Sequence, residues 1–546
     1  MKMTKKVLTA MIAASMAATA LPAAAVIDDV ASTLTSSNSL VDNTVSTIET
    51  EGVETISTPD VSDSNTQSET DSEDDSQPTD DTSDEKPVPS PESWFQTQDV
   101  AGGIAITGFN TDAPGFDGNI VVPPTINGRK VVQLCGTTTT WSCVPGATKV
   151  VSLDTSCCES ISIGEYAFCD VDSLRSVNLS NCVYIGEGAF QKCDRLSSIG
   201  DISDCTIDQH AFSFCKKLSS IGDLSSCTIQ SKAFSKSNVI FITEGEGHAK
   251  NDDSFISFDP NLHFSIGNIS DCTIQNQAFW HCGVSSVGSL TNCRLENKAF
   301  DTCELLSSVG SLSGTTIGEQ AFYHCDSLES IDLTDCTSIG KKGFDTCKNL
   351  SSVSNISNCT IGEQAFYQCE NLKSIGELSS CTLDEKAFYH NDYLNSVGNL
   401  YNCKIGDQAF DSCKNLGSVG DLLNCQIGQQ AFAGCPNLSS VGNMRSCTIG
   451  DEAFVCTQCV YESSLNFIGN LTDCTINAKA FYHCENLRSI GDLTNCQIGD
   501  QAFDTCSKLS SIGDMSGCTV NTKAFYHCEN LESVGNLTNS KIGHQA

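Results

Sequence analysis

The chain has 546 residues, 33 of them cysteine, and 67 acidic against 30 basic side chains, a formal net charge of -37 at pH 7. An acid excess this large, with no basic cluster, argues against nucleic acid as a partner. Beyond one N-terminal stretch, no apolar run is long enough to suggest a membrane span.

Residues 1–25 read as a secretory signal peptide. Lys2, Lys5 and Lys6 form a basic head, an apolar run follows from Val7 to Leu21, and Ala23, Ala24 and Ala25 offer small residues for cleavage. Residues 26–92 hold 18 Asp and Glu against one Lys, are rich in Ser and Thr, and end in Pro87, Pro89 and Pro91. Such a segment buries too little apolar surface to offset its ordering entropy, which predicts a disordered, self-repelling stalk. Residues 93–148 come next as a cap, needed because an uncovered end rung would expose core.

Residues 149–546 are a repeat array. Sixteen times between Phe168 and Phe525 a small residue precedes Phe, and twelve of the fifteen intervals are 22 residues. A fixed period of this size implies a solenoid, because one such unit cannot bury its own apolar face. In residues 485–506 the apolar positions Leu487, Ile490, Leu493, Cys496 and Ile498 precede Gly499, Ala502, Phe503 and Cys506. Steps of three fit neither a flat strand nor a long helix, but a coil that bends inward repeatedly. The Ser-Ile or Ser-Val stretch is expected to be the strand, and Gln-Ala-Phe-Asp-Thr-Cys a short helical or 3₁₀ return. The expected fold is an α/β repeat solenoid with a parallel β-sheet on one face and those returns on the other. Between Phe234 and Phe279 the 45 residues read as one degenerate rung, Asn251 to Leu262, with a loop; between Phe454 and Phe481 five extra residues include Cys456 and Cys459.

Most cysteines occupy two registers: three residues after Phe (Cys193, Cys303, Cys325, Cys484), or seven to eight before the next one (Cys205, Cys359, Cys425, Cys496). Repeated registers become ladders with like residues about 5 Å apart, wider than the Cβ separation of a disulfide. Buried free thiols are the favoured reading; disulfides at some rungs and metal sites are the alternatives.

The unit resembles the BspA-like family of leucine-rich repeats, Leu-x-x-Ile-x-Leu…Ile-Gly-x-x-Ala-Phe-x-x-Cys. Leu174, Val177, Leu179, Cys182, Ile185, Gly186, Ala189, Phe190 and Cys193 carry it, as do Leu328, Ile331, Leu333, Cys336, Ile339 and Gly340. Residues 103–134 resemble the lead-in segment of such arrays, implying a β-rich N-terminal cap. Most rungs depart from the family spelling by writing Ile-Gly-Asp-Leu for Ile-x-Leu and then Cys-x-Ile for Cys-x-x-Ile. The gained Gly suggests a bulged strand whose next turn is tightened, with the Asp outside. The resemblance implies an adhesin-like role at the cell surface or after secretion, towards an extracellular or host-surface protein.

After the Phe, rungs alternate between Tyr-His-Cys (323–325, 482–484) and Asp-Thr-Cys (345–347, 504–506). His281, His324, His390, His483 and His527 never occupy adjacent rungs, about 9–10 Å or more apart, so no zinc site is expected. Cys456 and Cys459 lack a partner pair. No nucleophile elbow, zinc-protease helix or P-loop is found, so neither catalysis nor a cofactor is expected. Trp280, Tyr323, Tyr367, Tyr389, Tyr482 and Tyr526 should form a spaced row beside the returns. Such a row contacts a sugar or a protein partner, or packs laterally against the next rung. Carbohydrate binding is therefore an alternative to protein binding. A spacer displaying an unseen C-terminal module is another, since Lys541 to Ala546 is half a motif.

Overall fold

A computed structural model describes residues 87–134, 143–241, 256–257, 263–455 and 463–546. The signal-peptide and most of the stalk readings, and the Cys456–Cys459 pair, lie outside the described residues. From the cap onward the chain is a right stack of coils, one per repeat, built from two- to four-residue strands that pair in parallel with the same positions of the neighbouring rungs.

Each regular rung contributes to three ladders. In the rung beginning at Leu372, Ser374–Ile375 joins the first, Leu378–Ser379 the second and Thr382–Leu383 the third. Register is strict: Ser374 pairs with Ser396, Leu378 with Leu400 and Thr382 with Lys404. The inward residue of each pair is apolar and buried, as Ile375, Leu378 and Leu383 are. Three short straight segments joined by corners explain the spacing near three that the sequence shows.

The expected bulge is a corner. Ile375 ends one strand and Leu378 begins the next, with Gly376 and Glu377 between them. The glycine is there for close approach: a Cβ on Gly398 would lie 2.8 Å from the carbonyl carbon and oxygen of Gly376 below it. The acidic or amide residue after it is outside, as expected, and also bonds between rungs. Asp492 Oδ1 accepts the Asp514 N–H at 2.9 Å, and Asp514 Oδ1 accepts the Asn536 N–H at 2.8 Å.

The returns are not helical, and the α/β assignment is corrected to an all-β solenoid. The two short 3₁₀ segments, Glu92–Trp94 and Ala147–Lys149, belong to the region before the array. The return Gln320 to Cys325 shows why. Gln320 and His324 have φ of 56° and 55°, left-handed values that end any right-handed helix. They turn alternate N–H groups along the stack: Gln320 donates to Lys341 O at 2.9 Å, Phe322 to Gly343 O at 2.8 Å and His324 to Asp345 O at 3.2 Å. The N–H groups between them close tight turns, Tyr323 to Gln320 O at 3.2 Å and Cys325 to Phe322 O at 3.3 Å. Left-handed geometry costs an L-residue about 1–2 kcal/mol; the bonds to the next rung offset it.

The interior is a continuous apolar column. From Phe168 to Phe503 the rings are buried, Phe525 at the end is half-buried, and all stack ring on ring, for example at 4.8 Å for Phe279–Phe300 and 5.3 Å for Phe300–Phe322, each with planes 1° apart. The Ala in front of the Phe, such as Ala321 and Ala365, is also fully buried, with Gly343 in its place before Phe344. Phe234 stacks directly on Phe279 at 5.0 Å, and Ser220–Ile221 pairs with Ser265–Ile266. No coil therefore stands between these two rungs in the column; of Asn251 to Leu262, read as a degenerate rung, all but Ile256–Ser257 lies outside the described residues. Phe264, directly before the paired Ser265, is fully buried, and of the extra residues Ile240–Phe241 and Ile256–Ser257 form an antiparallel pair apart from the ladders.

Before the array, Phe95–Val100 and Gly103–Phe109 pair antiparallel, and Arg129–Leu134 leads parallel into Ile161–Ile163. Phe95, Phe109 and Phe168 approach at 6.0 and 6.1 Å, so the cap's aromatic core runs into the Phe column.

Candidate binding surface

The third ladder gives the array its one unbroken strand face. It runs from Ile161–Ile163 through Thr206–Ile207, Thr273–Ile274 and Thr382–Leu383 to Lys541–Ile542 without a missing pair. Its outward residue is most often Thr, with Ser162, Tyr184, Arg294, Ser338, Lys404, Gln426, Gln497 and Lys541 in the other rungs. Because β-branched Thr suits a flat, half-exposed strand, the face is level and polar, with a hydroxyl in most rungs.

The other two ladders break together in mid-array. The first ends at Ser308–Val309 and restarts at Ser330–Ile331; the second ends at Leu290–Thr291 and restarts at Ile356–Ser357. The break takes in two rungs: Ser308-Val309-Gly310-Ser311-Leu312, which has the corner glycine but no second strand, and Ser330-Ile331-Asp332-Leu333, spelled in the family manner as the Leu174 rung is. The two family-spelled rungs lack the Gly corner and present no second strand.

The aromatic row lies beside the returns. Trp280, Tyr323, Tyr367, Tyr389 and Tyr482 are half-buried and Tyr526 is exposed. The ring faces are largely taken. Lys236 Nζ sits 4.8 Å from the Trp280 ring centroid, Lys342 5.8 Å from Tyr367, Lys479 5.4 Å from Tyr482 and Lys523 4.9 Å from Tyr526. Tyr367 and Tyr389 stack on each other at 5.9 Å. His324 and His483 set their edges against Tyr323 and Tyr482 at 4.3 Å. With Lys and neighbouring rings over its faces, the row is cross-linked to its own solenoid.

Between aromatic rungs stand buried carboxylates. Asp345 is 2% exposed and takes Lys342 Nζ at 3.2 Å; burial pushes its pKa up, opposed by Lys342 and by His324. Asp411 is pushed up by burial in the same way. Asp504 accepts from His527 Nδ1 at 3.2 Å. The histidines thus face Asp, Glu and Tyr, and no group of three metal-ligating side chains occurs among the described residues.

The cysteine ladders have a function that small apolar residues would not explain. Every described cysteine is a free thiol, and all but Cys143, Cys157 and Cys528 are buried. The thiol after each Phe donates to the Phe carbonyl of the preceding rung: Cys347 to Phe322 O at 3.2 Å, Cys369 to Phe344 O at 3.2 Å. The second register does the same, Cys403 to Leu378 O at 3.3 Å. Where these registers lack Cys, another donor makes the same bond: Ser237 to Phe212 O at 2.6 Å, Asn391 to Phe366 O at 2.8 Å, Thr315 to Leu290 O at 2.8 Å and Ser540 to Met515 O at 3.1 Å. Those substitutions were the sequence signal for a buried donor. Burial pushes Cys282 and Cys484 up to about 12 and Cys303, Cys325 and Cys347 well above an ordinary thiol, so they stay protonated donors.

No helix among the described residues is long and apolar enough to cross a membrane. Among curated proteins none matches this chain. Of the solved structures, a leucine-rich repeat protein from Bacteroides ovatus is 19% identical, with 82% of this chain and 89% of that one covered, at a TM-score of 0.26. A leucine rich cell surface protein from Faecalibacterium prausnitzii is 16% identical, covering 80% and 96%, at 0.25. The pneumococcal vaccine antigen PcpA is 13% identical, covering 74% and 92%, at 0.22. With TM-scores this low, none of these likenesses bears on what this chain binds. The profile of the BspA type leucine rich repeat region matches residues 150–257, 272–395, 382–509 and 426–546. The chain therefore belongs to the BspA-type leucine-rich-repeat family, a family of repeat scaffolds.

Proposed function

We propose that this chain is an exported or surface-displayed binding scaffold that receives an extracellular or host-surface protein on its third-ladder face. The observation that carries the reading is the unbroken run of that ladder, which presents one polar side chain, most often Thr, at each rung step of about 4.8 Å. Weak contacts repeated along a rigid face add through multivalency. The basic, apolar and small-residue order of residues 1–25 and the family membership support display outside the cell. The aromatic row, its ring faces covered, acts as lateral packing in this reading, and carbohydrate stacking is the lesser alternative.

The test uses the full chain against immobilised extracellular-matrix proteins and glycans, read by interferometry. Thr360→Glu, Thr382→Glu and Thr448→Glu place charge on the outward positions of three rungs. Affinity for a matrix protein should fall stepwise as the three are combined, while a combined change of Tyr323, Tyr482 and Tyr526 leaves it in place. Binding that ignores the triple Thr variant, or that is lost with the Tyr variant, overturns the assignment of the face.

A further inference from the structure

The outward residue of the second ladder is Ser or Thr in every described strand outside one window: Ser203, Ser225, Ser270 and Thr291 before the mid-array break, Ser357 and Ser379 after it, and Thr472 to Thr538 beyond. Inside the window three consecutive rungs depart from this rule. Tyr401 pairs with Leu423, and Leu423 with Arg445. Leu423 is 41% exposed, Tyr401 is half-buried and Arg445 is exposed. The first ladder, Ser at every other described array strand from Ser176 onward, departs once, at Phe467 in the rung after Arg445, and that ring is 47% exposed. In the third ladder the Tyr401 rung carries Lys404 in place of Thr.

A repeat array that keeps one small polar residue in a position elsewhere does not need Tyr, Leu, Arg and Phe there for folding. The inward partners Leu400, Leu422 and Met444 already supply the core. Exposed aromatic and aliphatic side chains around an Arg have the composition of an interface anchor. On this acidic chain the charged outward residues of the patch, Lys404 and Arg445, are both basic. Lys404 and Arg445 are exposed and have no carboxylate partner among the described residues. The nearby corner acid, Asp421, has Oδ1 engaged by the Asn443 N–H at 2.7 Å and by Asn443 Nδ2 at 3.2 Å. The patch runs over four rungs, three steps or roughly 14 Å, too small for the ~800 Å² per partner of a stable dimer. A second copy is therefore not the occupant.

We propose that Tyr401, Leu423, Arg445 and Phe467, with Lys404 beside them, form a discrete docking site for a protein segment that presents carboxylates next to apolar side chains. Leu423 and Tyr401 receive the apolar groups, and Arg445 and Lys404 pair the carboxylates, Arg445 in the bidentate manner its guanidinium permits. This site shares only Lys404 with the third-ladder face; its other four side chains lie on the first and second ladders, so it can hold a partner whether or not the third-ladder face does.

The probe is a short fluorescein-labelled peptide alternating Asp with Leu and Phe, titrated with the full chain and read by anisotropy. Two comparison peptides replace its Asp by Lys or its apolar residues by Ser. The combined variant Tyr401→Ser, Leu423→Ser and Arg445→Thr gives each position a residue that sister rungs carry, so its thermal transition should match the parent. Its affinity for the acidic-apolar peptide should drop about tenfold or more, the loss of an anchor side chain or two. Arg445→Glu alone should weaken the acidic peptide and strengthen the Lys peptide, while Thr228→Glu with Thr273→Glu, on third-ladder rungs far from Lys404, changes neither. The proposal is overturned if the acidic peptide shows no saturable binding, if the combined variant binds it unchanged, or if the Lys or Ser peptide binds the parent as well.

Discussion

The rung at 328–344 and the rung at 372–388 have the same length and the same Phe, yet one supports a single hydrogen-bonded ladder continuously and the other three. The difference is one residue moved across the cysteine. Ser374-Ile375-Gly376-Glu377-Leu378 turns a corner before Leu378, whereas Ser330-Ile331-Asp332-Leu333 has no glycine there and no second strand. The core is indifferent to the change: Phe322–Phe344 and Phe344–Phe366 both stack at 5.1 Å. Column packing and ladder pairing are thus separable in this fold, the first set by side-chain volume and the second by where the backbone is allowed to turn.

The largest effect expected tests the shared column. Phe344→Ala and Phe410→Ala should each cost about 3–5 kcal/mol, the usual loss for a buried ring, because both rings are fully buried and stacked on two sides. Equilibrium denaturation of the two variants checks this; a cost below ~1 kcal/mol at either would separate the two rungs in their cores as well.

Alkaline pH is expected to act next, on the rungs whose buried thiols are pushed up by burial. The folded thiols of Cys282 and Cys484 lie near 12, above the ordinary 9.0. Raised folded values mean that the unfolded chain loses its protons first. Their stabilising contribution is complete below about pH 9 and declines as pH climbs towards 12. Denaturation midpoints measured from pH 7 to 11 should be flat and then fall; a rise above pH 9 would contradict the burial of these donors.

A smaller effect concerns what the thiol does. Cys347→Ser and Cys369→Ser keep a donor to the Phe carbonyl below, as Ser237 does naturally, while Cys347→Ala and Cys369→Ala leave that acceptor unmet. The Ala variants should be less stable than the Ser variants by about 1 kcal/mol. Equal or reversed stabilities in urea would mean that shape, and not the hydrogen bond, selects cysteine.

The finest test converts one rung type into the other. Inserting Gly after Ile331 and deleting Ser338 rewrites the rung in the common spelling. Amide exchange should slow at Leu333 and in the neighbouring strands as the first and second ladders become continuous, with little change in the denaturation midpoint. Unchanged exchange there would place the cause of the break elsewhere than in the missing corner.

Periodicity alone determined the solenoid, the Phe and Ala column and the burial of both cysteine registers, because burial repeats wherever the same residue returns in the same place. The three-residue steps of Leu487, Ile490 and Leu493 even recorded the corners, although they could not say how many ladders those corners separate. What only the tertiary structure decided concerns bonds that run between rungs. Gln320 and His324 enter left-handed geometry because their N–H groups find carbonyls on the next coil, a partner that no local propensity reports. The same holds for the thiol of Cys347 and for Asp492 at its corner. The residues after Phe234 were read as holding an extra rung because their length allowed one. Phe234 meets Phe279 directly, and two rings already in stacking contact leave no space between them for another coil.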